Sequence, residues 1–251
     1  MGGALIDGWR RSRAFHPRDL MIRDPNPGPE AQAARAEGIR LNPADADLAA
    51  AKTVLLAVKP QIWREAAGPV VPHLAADAVI VSIAAGIGTA DIAEVFGGRQ
   101  VARVMPTTAV AICQGTASVY AQGDEARARA QALFSPVATV VDLEGEELMH
   151  AATAVSGSGP AYLYAFVEAL EGAGVAAGLS DGAAKRLARS TMAGAAALLA
   201  DSGAEPADLR RQVTSPGGTT QAALDVLLPE LPDLLARAVA AAARRSRELG
   251  G

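Results

Sequence analysis

The chain has 251 residues, half of them hydrophobic yet only 4% aromatic, which suits one large domain or two ordinary ones built on Ala, Val and Leu. Its formal charge is −4 with no basic patch interleaved with aromatics, and this argues against nucleic acid as the main partner. No apolar run is long enough to span a bilayer and the N-terminus lacks the parts of a signal peptide, so a soluble, cytoplasmic protein is expected.

The chain opens Met1-Gly2-Gly3 and runs directly into an amphipathic helix with Leu5, Ile6 and Trp9 at helical spacing. A dinucleotide fingerprint consists of a strand, a glycine turn and such a helix, whose N-terminus receives the pyrophosphate. The helix and the pair Gly2, Gly3 are present here, whereas the strand and the first glycines are not. A strand is predicted at 20–23, and Asp24 at its end lies where an acid binds the ribose diol. Pro25 to Pro29 reads as a turn.

Strands at 53–58, 78–82 and 101–105 then alternate with helical patterns at 31–38, 61–71 and 90–96. Continuous apolar strands separated by helices predict a parallel sheet covered on both faces. Val58-Lys59-Pro60 and Ser82-Ile83-Ala84-Ala85-Gly86 follow two of these strands, at the carboxyl ends where open α/β sheets bind ligands. Lys59 is set apart by the chain's strong preference for arginine, and Pro60 fixes the exit of its loop. Cys113, the single cysteine, excludes an internal disulfide and reads as a small buried hydrophobe in a reducing compartment. His16, His73 and His150 are scattered, so no metal site is expected.

Two further strands, at 116–120 and 138–143, flank a helix at 124–134. From Glu146 the strand signal stops and helices follow at 160–177, 181–199, 206–212, 219–228 and 233–248. Asp181 and Asp233 read as first-turn acids and Gly178 as a helix stop. The Ala-rich stretches at 193–200 and 236–243 permit close helix approach, within a domain or against a second subunit. Residues 1–145 are therefore expected to form a dinucleotide-binding domain and 146–251 a helical one.

Two glycine-hydroxyl segments stand in the helical half, Ser156-Gly157-Ser158-Gly159-Pro160 and Val213-Thr214-Ser215-Pro216-Gly217-Gly218-Thr219-Thr220. Each leads into an apolar helical run, where free N–H groups favour an anion and the hydroxyls add neutral donors and acceptors. Either alone is an ordinary linker. Together, beside a dinucleotide-type half, they suit a small carboxylate next to a polar nitrogen. Neither contains His, Lys, Asp or Glu, so alignment rather than proton transfer is the expected contribution.

These two segments, with Val58-Lys59-Pro60, Ser82 to Gly86 and Arg245-Ser246-Arg247-Glu248-Leu249, resemble the pyrroline-5-carboxylate reductase family over essentially the whole chain. The resemblance implies a Rossmann-type doubly wound sheet, here with its first strand absent, followed by an all-α domain that forms homodimers or larger assemblies. It implies reduction of the cyclic imine pyrroline-5-carboxylate to proline, the last step of proline synthesis. NADP(H) is the favoured cofactor, with NAD(H) as the alternative because Asp24 disfavours a 2′-phosphate while Arg23 offsets it. Ser215 and the backbone of Gly217, Gly218 and Thr219 would hold the substrate carboxylate, and the Thr220 hydroxyl would bond the ring nitrogen.

The cofactor contacts implied are Gly2, Gly3, Asp24, Val58, Lys59, Pro60, Ala84, Ala85, Gly86, Met105 and Pro106. The family pattern Met-Pro-Asn stands here as Met105-Pro106-Thr107, which replaces an amide by a hydroxyl. Because Met1 falls at an internal methionine of the family, the true start is expected upstream, with a loss of stability in the chain as given. Two other readings are a related imine or β-hydroxyacid oxidoreductase and a catalytically silent cofactor-binding protein. Ser158-Gly159-Pro160-Ala161 counts against the hydroxyacid enzymes, which carry a lysine or another acid/base group in that region. Turnover of pyrroline-5-carboxylate would separate the readings.

Overall fold

The computed structural model describes residues 1–250, which form two compact units. The first comprises Met1–Gly157 together with the chain from Ala241 onward, and the second is Ser158–Ala240.

In the first unit, α1 (Gly2–Ser12) buries Leu5, Gly8 and Trp9 at helical spacing, and Trp9 stacks edge-on against Phe15 at 5.6 Å. The predicted strand at 20–23 is only β1 (Met21–Ile22). After α2 (Pro29–Ala36) it pairs in parallel with β2 (Arg40–Leu41), a strand too short to leave a period-two signal. Next come β3 (Thr53–Leu56), α3 (Trp63–Ala67), β4 (Val79–Ser82), α4 (Thr89–Val95) and β5 (Val101–Pro106). The helix expected at 61–71 stops after Ala67, because Gly68 and Pro69 follow and Pro72 then opens a single 3-10 turn. The unit continues with β6 (Gly115–Ala121), α5 (Asp124–Phe134) and β7 (Ala138–Asp142).

The sheet order is β3-β4-β5-β6-β7, with β1-β2 as a separate ribbon and no ladder between the two among the described residues. That break falls where a doubly wound sheet of order 3-2-1-4-5-6 carries its first strand. Strands β3, β4 and β5 run parallel as expected, and β6, whose direction the sequence left open, runs antiparallel to β5. A parallel return needs a crossover of a dozen or more residues, and between Pro106 and Gly115 there is one 3-10 turn, Thr108–Ile112. Val79 and Val81 face one apolar cluster with α1 and α5, while Ile80 faces another with Trp63, Ile92 and Phe96. The period-two alternation thus buries both faces, as the unbroken apolar strands predicted.

Cys113 is half-buried rather than buried; it sits at φ 59° and its Sγ approaches the Gly8 carbonyl at 3.5 Å. After α6 (Met149–Ala152), a π-helical turn at Thr153–Gly157 closes the first unit's main span, with Met149 and Ala154 in its core. Glu146–Gly157 therefore packs with the sheet, beyond the boundary expected at 145/146.

The second unit holds α7 (Gly159–Ala176), α8 (Asp181–Ser202), α9 (Pro206–Gln212), α10 (Thr219–Leu227) and the first half of α11 (Leu231–Gly250). Gly178, at φ 101°, ends α7: its N–H reaches the Val175 carbonyl and that of Leu179 reaches Gly174, a Schellman closure. The Ser180 hydroxyl oxygen then accepts from the Ala183 N–H and caps α8. A Cβ at Gly174 would lie 3.2 Å from that of Ala184, so small side chains set the α7–α8 approach.

Candidate active site

The substrate-side candidates sit on the turn that opens α10. Gly217 is left-handed at φ 71°, and the Gly218 N–H returns to the Ser215 carbonyl at 3.0 Å. A Cβ at Gly218 would stand only 3.0 Å from that same oxygen, so the turn closes tightly because the residue is glycine. Gly218 is the N-cap residue and brings no side-chain cap, which leaves the first-turn N–H groups open to an external acceptor. Thr214 donates its hydroxyl to the Arg210 carbonyl, whereas the hydroxyls of Ser215, Thr219 and Thr220 make no protein hydrogen bond among the described residues. The arrangement presents backbone donors and uncommitted hydroxyls around one helix start, with no titratable side chain in the turn.

The other glycine-hydroxyl segment differs from its expected form. Instead of a loop before a helix, it passes through the π-turn and a single bend at Ser158 into α7. The Ser156 hydroxyl is committed to the Ala152 carbonyl at 2.8 Å. Gly157 instead provides a close approach: a Cβ there would be 3.6 Å from Met105 Cγ. A π-turn at such a place is a frequent mark of a functional segment.

The cofactor-side candidates fall largely at one end of the sheet. Strands β3, β4 and β5 are parallel neighbours, so Val58-Lys59-Pro60, Ala84-Ala85-Gly86 and Met105-Pro106 share its carboxyl edge. Gly2 joins them, since a Cβ there would touch Ala57 at 3.6 Å. Helix α1 has neither a side-chain cap nor an acid in its first turn. Lys59 is exposed and makes no ion pair among the described residues. Gly86 takes φ 79°, which an alanine would resist.

Asp24 lies just past β1 in a self-contained turn: its carboxylate accepts from the Asn26 N–H at 2.8 Å, and Asn42 brackets its backbone. Arg23 beside it is exposed and pairs with Asp45. The Glu30 carboxylate would meet a Cβ at Gly3 at 2.9 Å, which puts a negative group on a flexible side chain beside the start of α1. Thr107 is buried, and its hydroxyl oxygen accepts from the Thr116 N–H at 3.0 Å.

One cluster escaped the sequence reading. Arg103, on the β5 face opposite Val104, is 5% exposed and donates to Glu146 Oε1 at 2.8 Å. The same oxygen accepts from the Thr89 N–H at 2.8 Å, and Oε2 accepts from the Thr89 hydroxyl at 2.7 Å. Burial works to raise the Glu146 pKa, but the bonds from Arg103 and Thr89 outweigh it and hold the carboxyl below its ordinary range. His150 meets Ser246 Oγ at 3.0 Å, and burial, then the charges of Arg103 and Arg247, keep its imidazole pKa low. Arg103, Glu146, His150, Arg247 and Gly86 line a cleft of about 350 Å³. The visible signal was a lone arginine inside the otherwise apolar strand 101–105.

The family model for pyrroline-5-carboxylate reductase dimerisation matches residues 146–249, and the one for NADP oxidoreductase, coenzyme F420-dependent, matches residues 1–86. Pyrroline-5-carboxylate reductase of Synechocystis sp. is 34% identical over 258 aligned residues, covering 100% of this chain and 95% of that protein. The Pseudomonas aeruginosa enzyme is 39% identical over 257, covering 99% and 93%. Among solved structures, the Coxiella burnetii reductase superposes with a TM-score of 0.91 at 26% identity, covering 99% of this chain and 94% of that one. The Plasmodium falciparum enzyme, solved with NADP bound, gives 0.82 at 26%, covering 100% and 95%. The chain belongs to the pyrroline-5-carboxylate reductase family.

Proposed function

We propose that this chain reduces pyrroline-5-carboxylate to proline with NADPH as hydride donor. The observation that carries the reading is the α10 turn, an uncapped helix start joined to a left-handed Gly217 and free hydroxyls on Ser215 and Thr220. Its backbone N–H groups and Ser215 hold a carboxylate, while the Thr220 hydroxyl orients the ring nitrogen. A cyclic imine that enters protonated needs no acid from the protein, which fits a turn without titratable groups. Alignment and fixed dipoles then supply the protein's share of catalysis.

The cofactor-side residues fit a dinucleotide. An uncapped α1 with Gly2 and Gly3 suits a pyrophosphate, Lys59 and Arg23 supply positive charge, and the loop Ala84-Ala85-Gly86 with Met105 and Pro106 offers small or apolar surface. The Asp24 carboxylate is already engaged by Asn26, which weakens its claim on a ribose diol and supports NADP(H) over NAD(H). When bound, the cofactor supplies the hydride.

Function divides with residues 1–145 as the cofactor half and 146–251 as the substrate and dimerisation half. Helix α7 has no buried residue in 18, with Tyr164 at 67% exposure, and Val226 on α10 stands at 73%. Apolar surface of that extent supports a homodimer at least, and the composition supports a cytoplasmic site. The test is proline formation: the folded protein with pyrroline-5-carboxylate and NADPH is expected to yield proline, and no proline with either nicotinamide cofactor refutes the reading.

A further inference from the structure

We infer that Glu146 is a positioning residue for the loop 83–88: its carboxylate fastens the exit of that loop to Arg103 in the middle of β5, the strand that ends in Met105 and Pro106. The inference rests on the reading of Ala84, Ala85 and Gly86 as cofactor contacts. At its entry the loop is held by β4, where the Ile83 N–H reaches the Leu56 carbonyl at 3.1 Å and the Ser82 hydroxyl oxygen accepts from the Ala84 N–H at 3.2 Å. At its exit nothing local holds it. Gly88, the N-cap residue of α4, has no side chain with which to bond the helix start.

Glu146 supplies that bond from 57 positions away, accepting both the backbone N–H and the hydroxyl of Thr89. Glycine at 88 leaves the path open, since even a Cβ would come within 3.8 Å of Glu146 Oε1. The carboxylate is itself held by Arg103, two residues before Met105, and both Thr89 and Arg103 are buried. One carboxylate therefore joins the loop bearing Gly86 to the strand that carries Met105 and Pro106. A surface ion pair would leave these two cofactor-side elements independent. This one is largely enclosed, and its three hydrogen bonds converge from two elements.

The experiment measures NADPH Kd by fluorescence titration and the KM for pyrroline-5-carboxylate in four variants of the full chain. Glu146→Ala is expected to weaken NADPH about 5- to 50-fold while the pyrroline-5-carboxylate KM stays within about twofold. Glu146→Gln, which keeps an acceptor and the side-chain length, restores the Kd to within about threefold. Thr89→Val keeps the Arg103–Glu146 pair and is expected to weaken NADPH about two- to fivefold, so it decides the matter if Glu146→Ala does not fold.

Unchanged NADPH Kd in folded Glu146→Ala or Thr89→Val overturns the inference, as does an equal loss in both substrates, the mark of a merely structural role. Gly86→Val separates the two layers. If it leaves the NADPH Kd unchanged, the cofactor reading of the loop falls and the inference with it. If it weakens NADPH while the Glu146 and Thr89 variants do not, the inference alone falls.

Discussion

Alanine at Gly8 sets helix propensity against packing, and the structure says which wins. In a helix interior, glycine to alanine gains about 1 kcal/mol from reduced backbone entropy. Here, however, a Cβ would lie 2.2 Å from the Val110 carbonyl oxygen and 3.0 Å from Val137 Cγ1. A carbon and a carbonyl oxygen need about 3.3 Å, so α1 must retreat by about 1 Å. Its neighbours in the helix cannot follow freely, because Leu5 is fully buried and Trp9 donates its indole N–H to the Leu133 carbonyl at 2.7 Å. Overpacking costs about 1–3 kcal/mol and a strained buried hydrogen bond about 1 more. The net expected loss is about 2 kcal/mol, or about 4–8 °C in Tm for a chain of this size at fixed protein concentration.

The matched control is Gly182→Ala in the first turn of α8, where the nearest atom would be the end of the flexible Arg186 side chain at 3.7 Å. It should gain about 0.4–1 kcal/mol. Differential scanning calorimetry of the two variants against wild type reads the opposite signs. A Gly8→Ala protein that melts at or above the wild-type temperature would refute the packing argument. Because the same helix presents Gly2 and Gly3, its displacement should also weaken NADPH at least about tenfold.

Thr220→Ala should lower kcat/KM for pyrroline-5-carboxylate about 5- to 150-fold with NADPH affinity nearly unchanged, whereas Ser215→Ala should act mainly on substrate KM; wild-type kinetics in Thr220→Ala would reduce that residue to a helix-start contact. Both titrating groups of the Arg103 cluster have lowered pKa values, so each lends stability that is lost as pH falls: His150 from its ordinary value of 6.5 downward, Glu146 from 4.5 downward. Urea midpoints measured from pH 8 to 3 should fall in those two windows, with Glu146→Gln flattening the lower one and His150→Gln the upper, and a midpoint that rises on acidification contradicts the assignment. Light scattering should find no stable, active monomer at micromolar concentration, and Tyr164→Arg on the exposed face of α7 should push the equilibrium toward monomer with loss of activity.

What the sequence carried best was whatever local chemistry decides alone. Helix α5 and helix α9 stand where their patterns put them, and Gly178 and Ser180 close and open helices through bonds made within a few residues. What went unread or was misread gathers where the deciding partner is remote or the link is short. The antiparallel direction of β6, on which the sequence was silent, follows from one connection, and the break after Ala67 from Gly68 and two prolines that an apolar pattern conceals. Of the glycine-hydroxyl segments, the one at 213–220 forms the uncapped turn its composition announced. The one at 156–160 became nearly continuous helix, because Ser156 bonds back to Ala152 instead of facing outward. No local pattern could reveal that Glu146 caps a helix that starts at Thr89.

The helical unit shows the limit of burial as evidence from one chain. Its periodicity was plain in the sequence, yet Ser158–Ala240 buries only Ala184 and Ala188 among its hydrophobic residues. A stable domain needs apolar burial large enough to offset the ordering of its backbone, about 1–2 kcal/mol per residue, and two alanines do not approach that. The exposed apolar side chains of α7 and α8 are the surface that the homodimer proposed above would cover. On that proposal, the α10 turn, which carries Ser215 and Thr220, belongs to a unit that association stabilises. Substrate affinity should then track dimer formation on dilution, a coupling that no residue of the turn would disclose by itself.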